Sequence, residues 1–223
     1  MWILDIIRGK PELLSYVMTS DTGFAPNPFH GWCTTAACKY CLRLMAQKGD
    51  WVMGTTSSSR DRGMGGAGKI IYVMQVEEVL TIGSYFGDER FEAKKPYQDD
   101  HHDYLHGDNI YEPLKEGGFR QLENPNHDGR NVEYDLKGRN VLVSRRFWYW
   151  GRCAPYIGDR FSSLIWKRPP GVGRYPTCEQ RTLRSGCSGR AFQEFITWVE
   201  TMWPQGGILG EPFDKGRCDS GLE

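Results

Sequence analysis

Apolar residues are concentrated in a few short runs along the chain. Residues 16–19, 51–55, 70–80 and 141–144 are apolar and rich in β-forming residues, and each run predicts a β-strand. The run at 70–80 is continuous in its first half, as in a buried strand, and alternates in its second half. Residues 147–150, with the sequence FWYW, form either another strand or an aromatic plug.

Two helices are predicted between these strands and after them. The first begins near Thr34 or Thr35 and ends at Gly49, and the second covers residues 191–203, with apolar side chains on one side. Residues 55–68, 81–135 and 151–190 are rich in turn formers and predict irregular structure. Strands and helices do not alternate as in a doubly wound fold, so we expect an α+β protein.

The domain organisation follows from the same pattern. We expect one domain over residues 1–207, with a mostly β core, flanking helices and a long irregular insertion at 81–135. Residues 208–223 form a tail. The chain has 223 residues, of which 39% are hydrophobic and 25% are charged, and this composition is typical of a soluble globular protein.

The N-terminal residues and the cysteines indicate a cytoplasmic protein. No apolar run approaches the roughly 20 residues that a membrane span requires, so we expect no membrane partner. Asp5 interrupts the first apolar stretch, which has no basic lead, and this argues against a secretory signal. We therefore expect the seven cysteines to be reduced thiols rather than a disulfide framework.

Charge is segregated along a chain whose net charge is zero. Residues 77–128 carry 13 acidic and 5 basic residues, whereas residues 137–190 carry 12 basic and 2 acidic residues, and ten of the 12 are arginines. Arginine pairs with phosphate in a bidentate manner and stacks on rings. The pattern indicates either a polyanionic partner or two segments that neutralise each other on packing.

A turn-rich loop with many polar groups separates the first strand from the first helix. Asp21 and Asn27 can hydrogen-bond to the edge of a base, and Phe24, Phe29 or Trp32 can stack on its ring. The alternative is that the polar residues shape turns and the aromatic residues belong to the core. Loops of this kind are where binding and chemistry tend to lie.

Several segments in a fixed order resemble one family. They are YVMTSDTGFAPNPF, CTTAACK, KGDWVMGT, IIYVMQVEEVLT, GDNIY and VLVSRRFWYWG. Together, over roughly residues 15–207, they resemble the bacterial and phage family called nucleotide modification associated domain 2. The segment KGDWVMGT and the strand after it also resemble the core of PUA-like domains, which include the ASCH, EVE and YTH domains. That second resemblance implies a small β-barrel that binds a base or a modified nucleotide.

Base and phosphate contacts are assigned on this interpretation. The residues expected to line the base pocket are Tyr16, Asp21, Asn27, Phe29, Trp51, Asp108 and Asn109. The residues expected to hold phosphates are Lys39, Arg145, Arg146 and Arg152. The first backbone N–H groups of the predicted helix would face a phosphate, and Lys39 would add positive charge there. The arginines flank the aromatic run at 147–150, as in single-strand binding sites.

Metal binding and nucleophilic catalysis are weaker alternatives. Cys33, Cys38 and Cys41 supply three of the four ligands that structural zinc needs, but no second CxxC motif follows. His101, His102 and His106 form another group of metal-capable residues, although the Gly107-Asp108-Asn109 sequence after them favours a loop. Cys33 is also a candidate nucleophile, with His30 as its nearest histidine in sequence. We expect neither a metal nor another cofactor.

Three functions remain open from the sequence. The preferred one is binding of a modified or flipped base within a DNA or RNA modification or phage-conflict system. Its partners would be a nucleotide or nucleic acid, together with other proteins of that system. The second is an enzyme that modifies a base, using Asp21, Cys33 or Asp108. The third is a non-catalytic interaction subunit of a modification complex.

Overall fold

The computed structural model describes residues 10–56, 64, 66–97, 101–167 and 182–213. Over these residues the chain is a mixed α+β protein with several sheets and few helices. None of the helices in the described ranges combines the length and apolar character needed to cross a bilayer. Most of the loop predicted at 55–68 lies outside the described residues.

The helices are short, except for the last one. The strands are β1 (Glu12–Met18), β2 (Cys33–Thr35), β3 (Trp51–Thr56), β4 (Ile70–Gln75), β5 (Glu78–Thr81), β6 (Tyr111–Pro113), β7 (Phe119–Gln121), β8 (Asn140–Ser144), β9 (Phe147–Tyr149), β10 (Thr182–Gly186) and β11 (Gly207–Ile208). The α-helices are α1 (Tyr40–Met45), α2 (Ile82–Gly87), α3 (His102–Leu105), α4 (Val132–Leu136) and α5 (Arg190–Met202). Short 3-10 helices cover Glu89–Lys94, Gly151–Cys153 and Ser162–Leu164.

The main sheet has six strands in the order β10-β1-β3-β4-β9-β11. β1 pairs with β3 in parallel, whereas β3 and β4 pair in antiparallel fashion. The central strands are apolar on both faces because both faces are covered. One face carries Leu13, Met53 and Val73, and the other carries Leu14, Val52 and Met74.

Helix α5 covers the first of these faces, as the sequence pattern predicts. Phe192, Phe195, Ile196 and Val199 are buried against the sheet, while Met202 at the end of the helix is 56% exposed. The apolar stripe of a surface helix is what places it on a core.

The opposite face of the main sheet meets a second, three-stranded sheet. Its order is β2-β8-β5, with both pairings antiparallel, and Leu142 of β8 belongs to the same apolar cluster as Leu14 and Val52. The described strands thus form open sheets and no closed barrel. The α+β class is confirmed, and the PUA-like barrel is not.

The first predicted helix is wrong at its beginning. Residues Cys33–Thr35 form strand β2, and α1 begins only at Tyr40. The β-branched Thr34 and Thr35 pair with β8, and the Asp108 carboxylate accepts hydrogen bonds from the Thr34 hydroxyl (2.8 Å) and the Ala36 N–H (3.2 Å). Contacts with residues distant in sequence therefore override the local helical pattern.

The predicted strand at 70–80 and the predicted loop at 151–190 also need correction. The strand divides at Val76, whose N–H donates to the Asp50 carbonyl (2.7 Å), so that β4 and β5 join different sheets. Within the predicted loop, residues 182–186 form β10, an edge strand beside β1. Edge strands lack a second hydrogen-bonded neighbour, and their apolar pattern is correspondingly weak.

The insertion at 81–135 folds onto the second sheet and forms a core with it. The buried apolar residues of this core are Phe24, Ala36, Ala37, Ile82, Tyr85, Phe91, Ile110, Tyr111, Val141 and Val143. The insertion is thus a structured layer made of short elements. Short elements separated by turns give little periodic signal in a sequence.

A buried lysine joins the insertion to the loop before β2. The Lys94 ammonium donates hydrogen bonds to the Asn27 carbonyl (3.0 Å), the Asn27 side-chain oxygen (2.5 Å) and the Trp32 carbonyl (2.8 Å). Burial lowers the pKa of Lys94 to about 8, and the charge of Asp108 opposes this shift. The three acceptors use all three protons of the ammonium group.

His106 anchors the other side of the same loop. Its Nδ1 lies 2.9 Å from the Asn126 side-chain oxygen, and its carbonyl accepts a hydrogen bond from the Asn27 side-chain amide (3.0 Å). Burial lowers the pKa of His106 to about 4. The folded protein therefore favours the neutral imidazole.

Replacement of Lys94 by methionine should reduce the free energy of unfolding by about 3 kcal/mol, because three acceptors lose a charged donor. Urea unfolding followed by tryptophan fluorescence measures this loss. The matched control is Lys95→Met, because Lys95 is only half-buried and its ammonium pairs with the exposed Glu92. That control should change stability by less than about 1 kcal/mol. Equal losses of stability in the two variants would show that the buried hydrogen bonds of Lys94 contribute no more than a partly exposed ion pair.

Acid should destabilise the protein through His106. An unfolded histidine titrates near pH 6.5, so the unfolded chain binds a proton that the folded chain excludes between pH 6.5 and about 4. This contribution is complete above pH 6.5 and is lost as the pH falls, by an amount on the order of 2 kcal/mol. Urea unfolding of wild type and His106→Asn at pH 7 and 4.5 checks it. The difference in stability between the two proteins should shrink at pH 4.5, and a constant difference would contradict the assignment.

Candidate active site

Three reactive side chains from separate parts of the chain meet in one cluster. The Cys38 Sγ lies 3.1 Å from the Nε2 of His127, and the Nδ1 of His127 lies 2.7 Å from the Oδ2 of Asp135. His127 and Asp135 are buried, and Cys38 is half-buried. The ligand atoms of all three residues lie within 4.8 Å of one another.

Asp135, on helix α4, is the centre of this cluster. Its Oδ1 accepts a hydrogen bond from the backbone N–H of Cys38 (2.7 Å), and its Oδ2 accepts one from the Tyr111 hydroxyl (2.7 Å) as well as facing His127. The Arg43 guanidinium lies 3.9 Å from Oδ1. A buried carboxylate needs such compensation, and here the compensating groups also fix the positions of the thiol and the imidazole.

Cys38 lies in a tight turn between β2 and α1. Its φ is 55° and that of Lys39 is 37°, so two consecutive residues with side chains adopt the left-handed conformation. The buried Arg43 stabilises this turn by donating to the Cys38 carbonyl (2.9 Å) and to the Asp135 carbonyl (2.5 Å). Gly138 leaves room for Arg43, since a Cβ at that position would lie 2.4 Å from the guanidinium carbon.

His127 is held by the turn that precedes it. The Asn124 side-chain oxygen accepts hydrogen bonds from the N–H groups of Asn126 (3.0 Å) and His127 (2.7 Å), which is typical of an asparagine turn. The His127 carbonyl accepts a bond from the Gln121 side-chain amide (2.8 Å), and the Phe24 ring contacts the imidazole edge-on.

The thiol, the imidazole and the carboxylate are arranged in series as in a catalytic triad. A thiol touches one imidazole nitrogen, and a carboxylate holds the other nitrogen and so sets the tautomer. A histidine in this position accepts the thiol proton and activates the sulfur as a nucleophile. The chemistry available to the cluster is therefore covalent catalysis by Cys38, with His127 as base and acid.

A metal ion fits the same residues less well. Three protein ligands plus water suit catalytic zinc, but both oxygens of Asp135 already accept hydrogen bonds from Cys38, His127 and Tyr111. In the described ranges, no further His, Cys, Asp or Glu joins the group. The donor set thus favours a hydrogen-bonded triad.

The seven residues expected to form a base pocket do not all lie in one place in the structure. Tyr16 and Trp51 belong to apolar clusters on opposite faces of the main sheet. Asp21 is buried and accepts a hydrogen bond from the Tyr149 hydroxyl (2.7 Å). Phe29 is buried against Gly23 and the His102 ring.

Asn27, Asp108 and Asn109 are part of the buried network around Lys94. Asp108 accepts from the Tyr85 hydroxyl (2.6 Å) as well as from the groups of β2, and burial raises its pKa. Asn109 donates to the carbonyls of Tyr85 (3.3 Å) and Phe91 (3.2 Å). These three side chains stabilise the layer that carries the triad.

The expected phosphate-binding residues lie in different places. Arg145 and Arg146 line a groove of about 370 Å³ together with Trp148, Glu200 and the turn at 204–207. The Lys39 ammonium lies 5.0 Å above the Tyr16 ring. Arg152 donates to the carbonyls of Pro212 (2.7 Å) and Phe213 (3.3 Å).

The cysteines differ in burial and in oxidation state. Cys33 is fully buried and burial raises its pKa to about 12, so this thiol is a poor nucleophile at neutral pH. Cys33, Cys38, Cys153 and Cys187 are thiols, whereas Cys41 is disulfide-bonded, which corrects the expectation of reduced cysteines at that position. Cys33, Cys38 and Cys41 thus form no shared metal site.

The histidines of the insertion have structural partners. His102 and His106 lie with ring centroids 4.0 Å apart, and the Nε2 of His102 lies 2.8 Å from the Thr22 carbonyl. In the part of the chain that the structure describes, His101, His102 and His106 do not form a group with metal-binding geometry. His30, the histidine nearest to Cys33 in sequence, contacts the rings of Phe29 and Tyr104.

His127 and Asp135 are the residues that the sequence does not reveal. They lie 89 and 97 positions after Cys38, in a stretch without clear periodicity. The local signal before His127 is the turn-forming sequence Asn-Pro-Asn, which predicts a turn but does not indicate a catalytic residue.

Comparison with known proteins gives the family. No curated protein matches the chain, and no solved structure does. The model of one family, described as nucleotide modification associated domain 2, matches residues 10–217. This match covers the triad, all three sheets and helix α5, and it agrees with the resemblance seen in the sequence. The chain therefore belongs to the nucleotide modification associated domain 2 family.

Proposed function

We propose that the protein is a thiol enzyme that modifies a nucleotide or a nucleic-acid base. The observation that carries the proposal is the continuous hydrogen-bonded series from the Cys38 thiol through His127 to Asp135. The family description supports the substrate class, and the triad supports the reaction class. This function replaces simple base binding as the preferred interpretation, because binding alone requires no activated thiol.

The reaction begins at the thiol. The Nε2 of His127 takes the Cys38 proton as the sulfur attacks an electrophilic carbon, such as a carbonyl or amidine carbon, and forms a C–S bond. The π electrons of that carbon move to its oxygen or nitrogen. When the π bond re-forms, the bond to the leaving group breaks and the leaving group takes the proton from the imidazolium. Water or an amine then releases the product from sulfur.

Alkylation by iodoacetamide tests the activated thiol without knowledge of the substrate. Cys38 should react at pH 6 at least about tenfold faster than in the His127→Asn variant, because the imidazole stabilises the thiolate. Peptide mass spectrometry measures the rate at each cysteine. Cys153 is the internal control, since it is an exposed thiol outside the triad, and its rate should not change in His127→Asn. A Cys38 rate independent of His127 would refute the proposal.

Base binding without chemistry is the second candidate, and it is the function that the PUA-like resemblance implies. The observation in its favour is the groove that contains Arg145 and Arg146. The Arg145 guanidinium lies 4.5 Å from the centre of the Trp32 ring, and the Arg146 guanidinium lies 5.0 Å from that of Trp51. Arg146 also pairs with Glu200 (2.5 Å). Arginine beside aromatic rings is a common way to hold phosphates and unstacked bases.

Charge reversal tests whether the groove binds nucleic acid. Arg145→Glu combined with Arg146→Glu should weaken binding of a fluorescent single-stranded oligonucleotide by at least about tenfold at low salt, because two phosphate contacts become repulsive. Arg120→Glu is the control, since Arg120 is exposed on β7 and does not line the groove. Fluorescence anisotropy measures both affinities. Unchanged affinity in the double variant would show that the groove does not bind nucleic acid, and it would favour the function of an interaction subunit.

A further inference from the structure

The small two-stranded sheet places two side chains against the pair formed by His127 and Asp135. Tyr111 of β6 lies directly opposite Gln121 of β7, and residues in this relation have their side chains on the same face of a sheet. The Tyr111 hydroxyl donates to the Oδ2 of Asp135 (2.7 Å), and the Gln121 side-chain amide donates to the His127 carbonyl (2.8 Å). One β-hairpin therefore holds both the base of the triad and the carboxylate behind it.

Two donors share one oxygen of Asp135. Its Oδ2 lies 2.7 Å from the Tyr111 hydroxyl and 2.7 Å from the Nδ1 of His127, whereas its Oδ1 accepts from the Cys38 N–H. A hydrogen bond to a carboxylate stabilises its negative charge. The charge that Tyr111 stabilises attracts a second donor less strongly, so the phenol and the imidazole compete for Oδ2.

Tyr111 acts toward Asp135 only as a donor. Its side chain is buried, and burial together with the charge of Asp135 raises the pKa of the phenol well above its usual range. The hydroxyl therefore stays protonated over the whole range in which a thiol and an imidazole titrate. Its hydrogen bond to Oδ2 is a constant influence on the triad.

We infer that Tyr111 is a positioning residue of the triad, which shares the charge of Oδ2 with His127 and so sets the pH above which Cys38 is a thiolate. The inference rests on the proposed function, because it concerns the activation of that thiol. When His127 takes the proton of Cys38, the imidazolium is stabilised by the charge on Oδ2. The hydrogen bond from Tyr111 reduces this stabilisation, so the thiolate forms at a higher pH than it would without the hydroxyl.

Further ionisable side chains surround the triad. They are Arg43, Tyr16, Lys39 and Asp108. The Arg43 guanidinium, 3.9 Å from the Oδ1 of Asp135, carries a constant charge. Tyr16 interacts electrostatically with Cys38, and burial raises the pKa of its phenol above the usual range. Lys39 places its ammonium over the Tyr16 ring, and Asp108 interacts electrostatically with Arg43, so a control must include a change beside Asp108.

Removal of the Tyr111 hydroxyl tests this role in the full-length protein. In Tyr111→Phe the charge of Oδ2 faces His127 alone, so the imidazolium is stabilised and the thiolate forms at lower pH. The rate of Cys38 alkylation by iodoacetamide is followed by peptide mass spectrometry between about pH 4 and about pH 9. Its midpoint should lie at least about 0.5 pH unit below that of the wild type. An unchanged midpoint, or one at higher pH, would refute the inference.

Tyr85→Phe is the matched control. Tyr85 is also buried, its hydroxyl donates to a buried carboxylate oxygen, the Oδ1 of Asp108 (2.6 Å), and both tyrosines belong to the same apolar cluster. Urea unfolding should show similar losses of stability in the two variants, but Tyr85→Phe should leave the midpoint of alkylation unchanged. Equal shifts of the midpoint would assign the effect to lost stability rather than to the contact with Oδ2, and would refute the inference.

Replacement of Tyr111 by 3-fluorotyrosine makes the opposite change while it keeps the hydroxyl. The more acidic phenol donates a stronger hydrogen bond to Oδ2, so the midpoint of Cys38 alkylation should move to higher pH. This variant decides the question even if Tyr111→Phe does not fold. A midpoint that stays in place or moves to lower pH would contradict the role of Tyr111.

Failure of the inference and failure of the proposed function give different results. If the alkylation of Cys38 depends on His127 but its midpoint does not respond to Tyr111, the triad stands and the inference fails. If the rate of alkylation does not depend on His127, the proposed function itself fails, because the imidazole does not activate the thiol.

Discussion

The carboxylate of Asp135 is the interaction on which the site depends. Removed from water, it is stabilised by the Cys38 N–H, the Tyr111 hydroxyl and the His127 imidazole, with Arg43 close by. These groups come from four different segments, so one buried charge determines how those segments are arranged. A buried carboxylate that loses a partner is strongly destabilised. The same interaction therefore stabilises the fold and aligns the thiol with its base.

The two sheets and the insertion have distinct roles around this charge. The main sheet and α5 form a conventional apolar core, which supplies rigidity. The second sheet carries the turn with Cys38 on one side, and the insertion carries His127 and Asp135 on the other. Lys94 joins the two through three backbone and side-chain oxygens. The site thus lies where two layers meet, and both must fold before it exists.

The apolar pattern predicts the main core well and the site poorly. Strands β3 and β8 and helix α5 match their predicted positions, because each buries a regular set of side chains and so leaves a period in the sequence. The β2 segment is misread because its conformation is decided by Asp108, which lies 74 residues after Thr34. The sequence predicts Asp108 in a base pocket, because its neighbours in sequence carry no sign of its burial beside Tyr85. The triad escapes detection for the same reason, since its geometry exists only through tertiary contacts.

The long separation in sequence between Cys38 and its base has a consequence during protein synthesis. Cys38 leaves the ribosome with β1 and β2, whereas His127 and Asp135 follow 89 and 97 residues later. A nascent chain that ends before Asp135 carries the cysteine without the groups that activate it. Before His127 and Asp135 are synthesised, the Cys38 thiol therefore has the reactivity of an ordinary cysteine. On the proposed function, Cys38 becomes reactive only when the second layer closes, so its activation reports the folding of that layer.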